Sequence, residues 1–332
     1  MLEKSPYRQY VVGVETKVPL ARNKLGNYIN FDNAATTPPL KTVMKELNEF
    51  APWYSSIHRG KGYKSLLSSE LYEEAREIIA AFINCNLKKN TIIFVKNATE
   101  AINKIAYRCC QDKKNKENCV ILSTDMEHHS NDLPWRDKYK LDYVKVNKEG
   151  LLSLEDLEAK LIKYQGKVKL FTVSGASNVT GFMNPIYKIA GLCHQYKCKL
   201  LVDGAQLIPH QTVSMERRNK NENIDFLVFS AHKMYAPFGI GVLIGPKSFF
   251  LNGEPENKGG GTVKIVTQQE VYWDQPPYKD EAGTPNIMGV VALTAAIKKL
   301  QELKMREIAK YEEELAAYTL TKLSSIPEVV LY

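Results

Sequence analysis

The residues able to do chemistry in this sequence stand where apolar runs stop. LLVD ends in Asp203 and continues as GAQ, with Gln206. FLVFS ends in Ser230 and continues as AHK, with His232 and Lys233. TIIFVKN leads into ATE, with Thr99 and Glu100; VILSTDM leads into Glu127, His128 and His129; LFTVSGAS stops at Asn178. Short runs rich in β-branched and aromatic residues read as buried strands. In open α/β sheets ligands sit beyond the carboxyl ends of the strands. Five such ends therefore bring an amine, a carboxylate, imidazoles and hydroxyls to one edge. Taken singly, each has a plainer reading: Asp203 caps a helix, Lys233 is solvated, His128 and His129 are loop residues, and Thr99 opens a helix.

Taken together they fit one ligand, a phosphorylated pyridine aldehyde: pyridoxal 5′-phosphate (PLP). The aldehyde needs an amine whose pKa is lowered enough to attack near neutral pH, a role for Lys233. The pyridine nitrogen needs a carboxylate to keep it protonated, a role for Asp203. The phosphate needs N–H groups at a helix N-terminus with hydroxyls and an imidazole beside them, roles for Thr99, Ser230 and His232. The ring face needs a flat partner, a role for His128.

The elements that must position these residues alternate. Strands are predicted over 91–97, 119–124, 142–147, 168–177, 198–206, 224–233 and 239–246. Helices are predicted over 98–110, 153–164 and 184–197, with a helix or turn at 129–140. Ser153 and Asp156 read as an N-cap and a first-turn acid. Helical spacing also covers 42–54, 68–84 and 288–323, the last as two helices or one kinked helix. Residues 252–285, with GGG at 259–261, read as a long loop, and PEVVLY at 327–332 as the first strand of something further. The pattern predicts an α/β fold: a mainly parallel sheet with helices on both faces. An arm at 1–31, a large domain at 32–286 and the start of an incomplete small C-terminal domain at 287–332 are expected.

Composition limits the partners. The 332 residues carry 45 Lys+Arg against 37 Asp+Glu, a net +8, with 44% apolar and 25% charged residues. Such a chain buries a sizeable core, which excludes general disorder or a fibrous protein. The positive charge is modest and spread, with its densest run at Lys113, Lys114 and Lys116, so no nucleic-acid partner is expected. No apolar run reaches the roughly 18–20 residues of a membrane span. The start lacks a secretory signal, which points to the cytoplasm. Cys85, Cys109, Cys110, Cys119, Cys193 and Cys198 form no CxxC pair and no zinc spacing. They are read as structural, with no metal site and no disulfide framework.

INFDNAATTPP, SSIHRGKGYKS, FVKNATEAIN, STDMEHHSNDLPW, VSGASNVTGFMNP, KLLVDGAQLIPH, DFLVFSAHKMYAPFGIGVLIG, GGGT and EAGTPN occur in this order. In that order and spacing the sequence resembles the class V aminotransferase family of PLP enzymes. Within it the likeness is to the cysteine desulfurase and selenocysteine lyase branch of the SUF type. The resemblance implies the PLP-dependent transferase fold type I. It implies that Lys233 carries the cofactor as a Schiff base, that Asp203 pairs with the pyridinium nitrogen and that Gln206 bonds the phenolic oxygen. It implies that His128 stacks on the ring and acts as acid and base, and that Thr99, Ser230 and His232 hold the phosphate. Thr284 would reach the phosphate of a neighbouring subunit, which implies a homodimer. Asn178 would lie near substrate and phenolic oxygen, and Ala34, His58 and Arg59 would line the entrance.

The implied reaction removes sulfur (or selenium) from L-cysteine or its analogue, giving alanine and an enzyme persulfide for an acceptor protein, as in iron–sulfur cluster assembly. An epimerase, a β-elimination lyase or an aminotransferase would use the same visible residues. A cofactor-free binding protein on this fold is the reading from another class, and intact Lys233, Asp203 and His128 speak against it. Three departures from the family pattern stand out. Ala98 replaces a Gly, Thr or Ser, so one phosphate contact is expected from backbone alone. Gly62 stands where the SUF-type pattern often has a second His. The chain stops at Tyr332, where relatives are expected to run on for roughly 80–100 residues. That part would carry the Arg for the substrate carboxylate and the Cys that accepts sulfur. The sequence then belongs to a fragment or to a divergent member without desulfurase chemistry.

Overall fold

A seven-stranded sheet forms the centre of the computed structural model, which describes residues 5–109, 119–136 and 138–331. Cys110 and the lysine run at 113–116 lie outside the described residues, as does Tyr332. The N-terminal arm holds a small antiparallel hairpin, β1 (Lys17–Pro19) and β2 (Leu25–Asn27). The chain then enters α1 (Lys41–Phe50) and α2 (Tyr63–Phe82).

The main strands are β3 (Asn90–Val95), β4 (Val120–Thr124), β5 (Lys140–Val144), β6 (Val168–Ser174), β7 (Lys199–Asp203), β8 (Phe226–Ser230) and β9 (Gly241–Pro246). Their order is β3-β9-β8-β7-β6-β4-β5. The helices between them are α3 (Ala98–Cys109), the short α4 (Leu133–Arg136), α5 (Leu154–Tyr164) and α6 (Ile186–Gln195). Every residue of β4 and β8 is buried, as a sheet covered on both faces requires. One covering layer packs Val43, Ile79, Ile189 and Leu293 against the sheet. The other packs Ile102, Ile105, Trp135 and Phe250.

The exception to the parallel order is β9, antiparallel to both β3 and β8. Its connection to β8, residues 231–240, holds no crossover helix, and a short connection can only return antiparallel. Lys233 sits in that connection. Val95 pairs with Gly241, which draws the start of α3 against it. A Cβ on Gly241 would lie 2.6 Å from Asn97 Cα, so only glycine admits this approach.

The expected elements differ from the observed ones mainly at their ends. Ser153 caps α5 by accepting from the Asp156 N–H, as its position predicts. Segment 288–323 is two helices, α8 (Ile287–Glu302) and α9 (Met305–Leu323), after α7 (Lys247–Leu251) earlier in the chain. Lys304 with φ 62° breaks α8 from α9. The long loop contains a hairpin, β10 (Val263–Val266) and β11 (Val271–Trp273). Its side chains are largely exposed, so burial left no run of apolar residues to read. The strand expected at 327–332 does not form over residues 327–331. Among the described residues no helix is long and apolar enough to cross a membrane.

Candidate active site

A cavity of about 430 Å³ opens beyond the carboxyl ends of β6, β7 and β8 and beside the start of α3. Asp203, Lys233, His128, Thr99, Ala98, Ser230, His232, Gln206, Asn178 and Ala34 all line it. Five strand ends separated widely in sequence meet there because parallel strands place their carboxyl ends on one side.

Asp203 is the last residue of β7, in register with Val228 of β8 and Ser174 of β6. Its Oδ1 accepts from the Ala205 N–H at 3.0 Å. Burial pushes the Asp203 carboxyl up, against the pull of the Ala205 N–H, Lys233 and His128. Burial pushes the Lys233 amine down, and the attraction of Asp203 opposes it. Each group thus feels the other across the cavity while burial disfavours both charges.

The start of α3 faces the same space. Asn97 caps the helix by accepting from the Glu100 N–H at 3.0 Å, and Glu100 returns the favour to the Lys96 N–H at 2.7 Å. The Ala98 N–H, expected as a backbone contact, donates to Ser230 Oγ at 2.8 Å, which ties the first turn of α3 to the end of β8. Thr99 Oγ1 lies 2.7 Å from Ser130 Oγ. The His232 imidazole is pushed down by burial and by Lys233. An N-terminal helix turn with two hydroxyls nearby is a site for an anion.

His128 has a defined tautomer. Its Nδ1 accepts from the Ser130 N–H at 3.1 Å, and a backbone N–H can only donate. The lone pair is therefore on Nδ1, which leaves Nε2 as the proton-bearing atom of the neutral ring. Beneath it, Glu127 takes hydrogen bonds from Thr124 Oγ1, Asn131 Nδ2, the Ser174 N–H and Ser174 Oγ. Burial pushes the Glu127 carboxyl up to about 7, against those four donors. The Gln206 amide donates to Ala34 O at 2.7 Å, which spends one of its two N–H groups and ties the segment after the arm to the residues that follow β7.

His58, Arg59 and Thr284 are not in this cavity. His58 and Arg59 line a separate one of about 390 Å³ with Gly283 and Pro285, the two neighbours of exposed Thr284. His58 Nε2 lies 3.1 Å from Glu73 Oε1.

The model of the class-V aminotransferase family matches residues 29–332. The chain belongs to that family. Members of this family depend on PLP. A probable cysteine desulfurase of Halalkalibacterium halodurans is 36% identical over 310 residues, covering 92% of this chain and 74% of the relative. The apo structure of a cysteine desulfurase from Thermococcus onnurineus has a TM-score of 0.82 at 32% identity, covering 94% of this chain and 76% of that one. A cysteine desulfurase of Escherichia coli with an S-sulfonic acid has a TM-score of 0.76 at 28% identity, covering 89% and 73%. The fold is the PLP-dependent fold type I of these enzymes.

The class-V fold's cofactor suits the donor set. A desolvated amine, a buried carboxylate and a helix N-terminus answer the three polar ends of PLP, and the cavity has the size of a small-cofactor site. Of the described cysteines, none lines this cavity. Cys119, Cys193 and Cys198 are buried, and burial pushes the Cys85 thiol up to about 12, far from a reactive thiolate. Ser130, which joins Thr99 to His128, carried no expectation from sequence. Its signal was a hydroxyl two positions after His128 in the same turn.

Proposed function

We propose that this chain binds PLP at Lys233 and acts as a cysteine desulfurase, taking sulfur from L-cysteine and leaving alanine. The reading rests on one observation above the rest: Asp203 at the end of β7 and Lys233 in the loop after the neighbouring β8 reach one cavity, with the α3 N-terminus at its side. The similarity to enzymes named cysteine desulfurase supports the choice of substrate.

PLP, when bound, supplies an aldehyde that joins to an amine and a ring that draws electrons from the substrate's Cα. Lys233 Nζ would provide that amine, and the same group would remove or return the proton at the substrate's Cα. Asp203 would hold a proton on the ring nitrogen, and its burial would strengthen that charge-assisted hydrogen bond. The α3 N-terminus, Thr99, Ser230 and His232 would bind the phosphate. His128 would serve the ring face, with Nε2 free to carry a proton because Nδ1 is held by the Ser130 N–H. Gln206, with one amide hydrogen on Ala34 O, would offer the other to the phenolic oxygen, and Asn178, which lines the same cavity, would serve the substrate. An acceptor thiolate would attack the substrate's sulfur, forming the S–S bond of a persulfide as the Cβ–S bond breaks and Cβ takes a proton to complete alanine.

The reading extends to a homodimer, in which Thr284 would meet the phosphate bound by a second copy; His58 and Arg59, expected at the entrance, line a separate cavity of this chain. Ala34 lines the entrance from within the chain. The domain division at 31 and 286, the SUF-type branch, a cytoplasmic address and a sulfur-acceptor protein are parts of the same proposal.

The test is incubation of the PLP-loaded protein with L-cysteine and a reducing thiol, with alanine, sulfide, pyruvate and D-cysteine measured. Alanine and sulfide in equal amounts are expected. Pyruvate with sulfide would mark β-elimination instead, and D-cysteine alone would mark an epimerase.

A further inference from the structure

The loop that carries Lys233 is held from outside by the start of the large domain. His232 O accepts three hydrogen bonds from two neighbouring threonines: Thr36 Oγ1 at 3.1 Å, Thr37 Oγ1 at 3.1 Å and the Thr37 N–H at 3.0 Å. Thr37 Oγ1 also accepts from the Tyr235 N–H at 2.7 Å. One hydroxyl therefore donates to the peptide group just before Lys233 and accepts from the peptide group two residues after it. The partners are 195 positions apart in the chain, so no local turn provides this tie. The loop needs one: Tyr235 has φ 64° and Phe238 φ 78°, both in the left-handed region that side chains disfavour.

We propose that Thr37 is a positioning residue for Lys233, a staple whose single hydroxyl brackets Lys233 and Met234 and fixes where Nζ meets the PLP aldehyde. The inference rests on the reading of Lys233 as the PLP-binding amine. Only a hydroxyl side chain donates and accepts at one atom, which limits the position to Thr or Ser. Valine has the shape of threonine, loses both hydrogen bonds and leaves the Tyr235 N–H without its partner. A side chain displaced by a fraction of an ångström still binds the cofactor's other ends, but its attack on the aldehyde slows.

The experiment times the covalent capture of PLP by the apo-protein. The amine condenses with the aldehyde with loss of one water, and borohydride supplies the hydride that makes the link permanent. Mass spectrometry of the Lys233 peptide then gives the captured fraction. Thr37→Val is expected to slow capture by between about tenfold and a hundredfold. Thr37→Ser is expected to restore it to within about threefold, because the hydroxyl returns. Non-covalent PLP affinity, measured by fluorescence in a Lys233→Ala background, should change by less than about threefold on adding Thr37→Val.

Capture by Thr37→Val at the unaltered protein's rate overturns the inference. So does a loss of non-covalent affinity as large as the loss of rate, because Thr37 would then shape the whole cavity. If Thr37→Val does not fold, Thr37→Ala takes its place. Failure of both to fold overturns a positioning role in favour of a structural one. Absence of any adduct at Lys233 in the unaltered protein overturns the PLP reading itself.

Discussion

Asp203 and Lys233 approach one cavity from β7 and from the loop after β8, and each draws the other toward its charged form while burial pushes both toward neutrality. The balance leaves a carboxylate suited to hold a proton on a ring nitrogen. It leaves an amine that gives up its proton below the ordinary lysine range.

The sign of that coupling can be read from a pH series. Asp203 holds the Lys233 ammonium charged, so Asp203→Asn should let the amine's pKa fall further. The curve of PLP capture against pH should then reach its plateau at lower pH than in the unaltered protein. The same change removes a hydrogen bond to a charged group, so PLP affinity should fall by about 1.5–3 kcal/mol, on the order of ten- to a hundredfold. A plateau displaced to higher pH contradicts the coupling.

Ser230 separates phosphate binding from ring binding. Its hydroxyl accepts from the Ala98 N–H at the first turn of α3. Ser230→Ala should weaken PLP binding by about 1–3 kcal/mol and leave the affinity for pyridoxal, which lacks the phosphate, within a factor of about two. Equilibrium dialysis with the two compounds makes the comparison. Equal losses for both would place Ser230 away from the phosphate.

The segment that precedes Thr284 is anchored by a buried ion pair. Glu281 accepts from Arg76 Nη1 and Nη2, each at 2.9 Å, from Tyr72 Oη at 2.9 Å and from the Phe94 N–H at 2.7 Å. The guanidinium also lies 4.7 Å from the centroid of the Phe94 ring. Arg76→Met leaves that carboxylate buried without its cation, and unfolding in urea should show a loss of about 3–5 kcal/mol. A loss under about 1 kcal/mol would mean that water or another cation replaces Arg76.

Much of this arrangement was legible in the sequence because strand ends carry their own signal. LLVD and FLVFS announce buried strands, and a polar residue at the end of each can only point beyond the sheet. The fold class followed from the same alternation. The antiparallel return of β9 was not legible, since the apolar run at 239–246 has no direction of its own. The β10–β11 hairpin was hidden because an exposed hairpin needs no buried face. The Thr37 contact was hidden for another reason: nothing local in TTPP refers to a carbonyl 195 positions away. His58 and Arg59 were expected at the entrance, and one chain places them against a different cavity, beside the neighbours of Thr284.

The most direct test of the central claim is the site of PLP attachment. The protein is loaded with PLP, reduced with borohydride, digested and examined by mass spectrometry. A single adduct on Lys233 is predicted, absent from Lys233→Ala. An adduct on another lysine, or none after loading, would contradict the account.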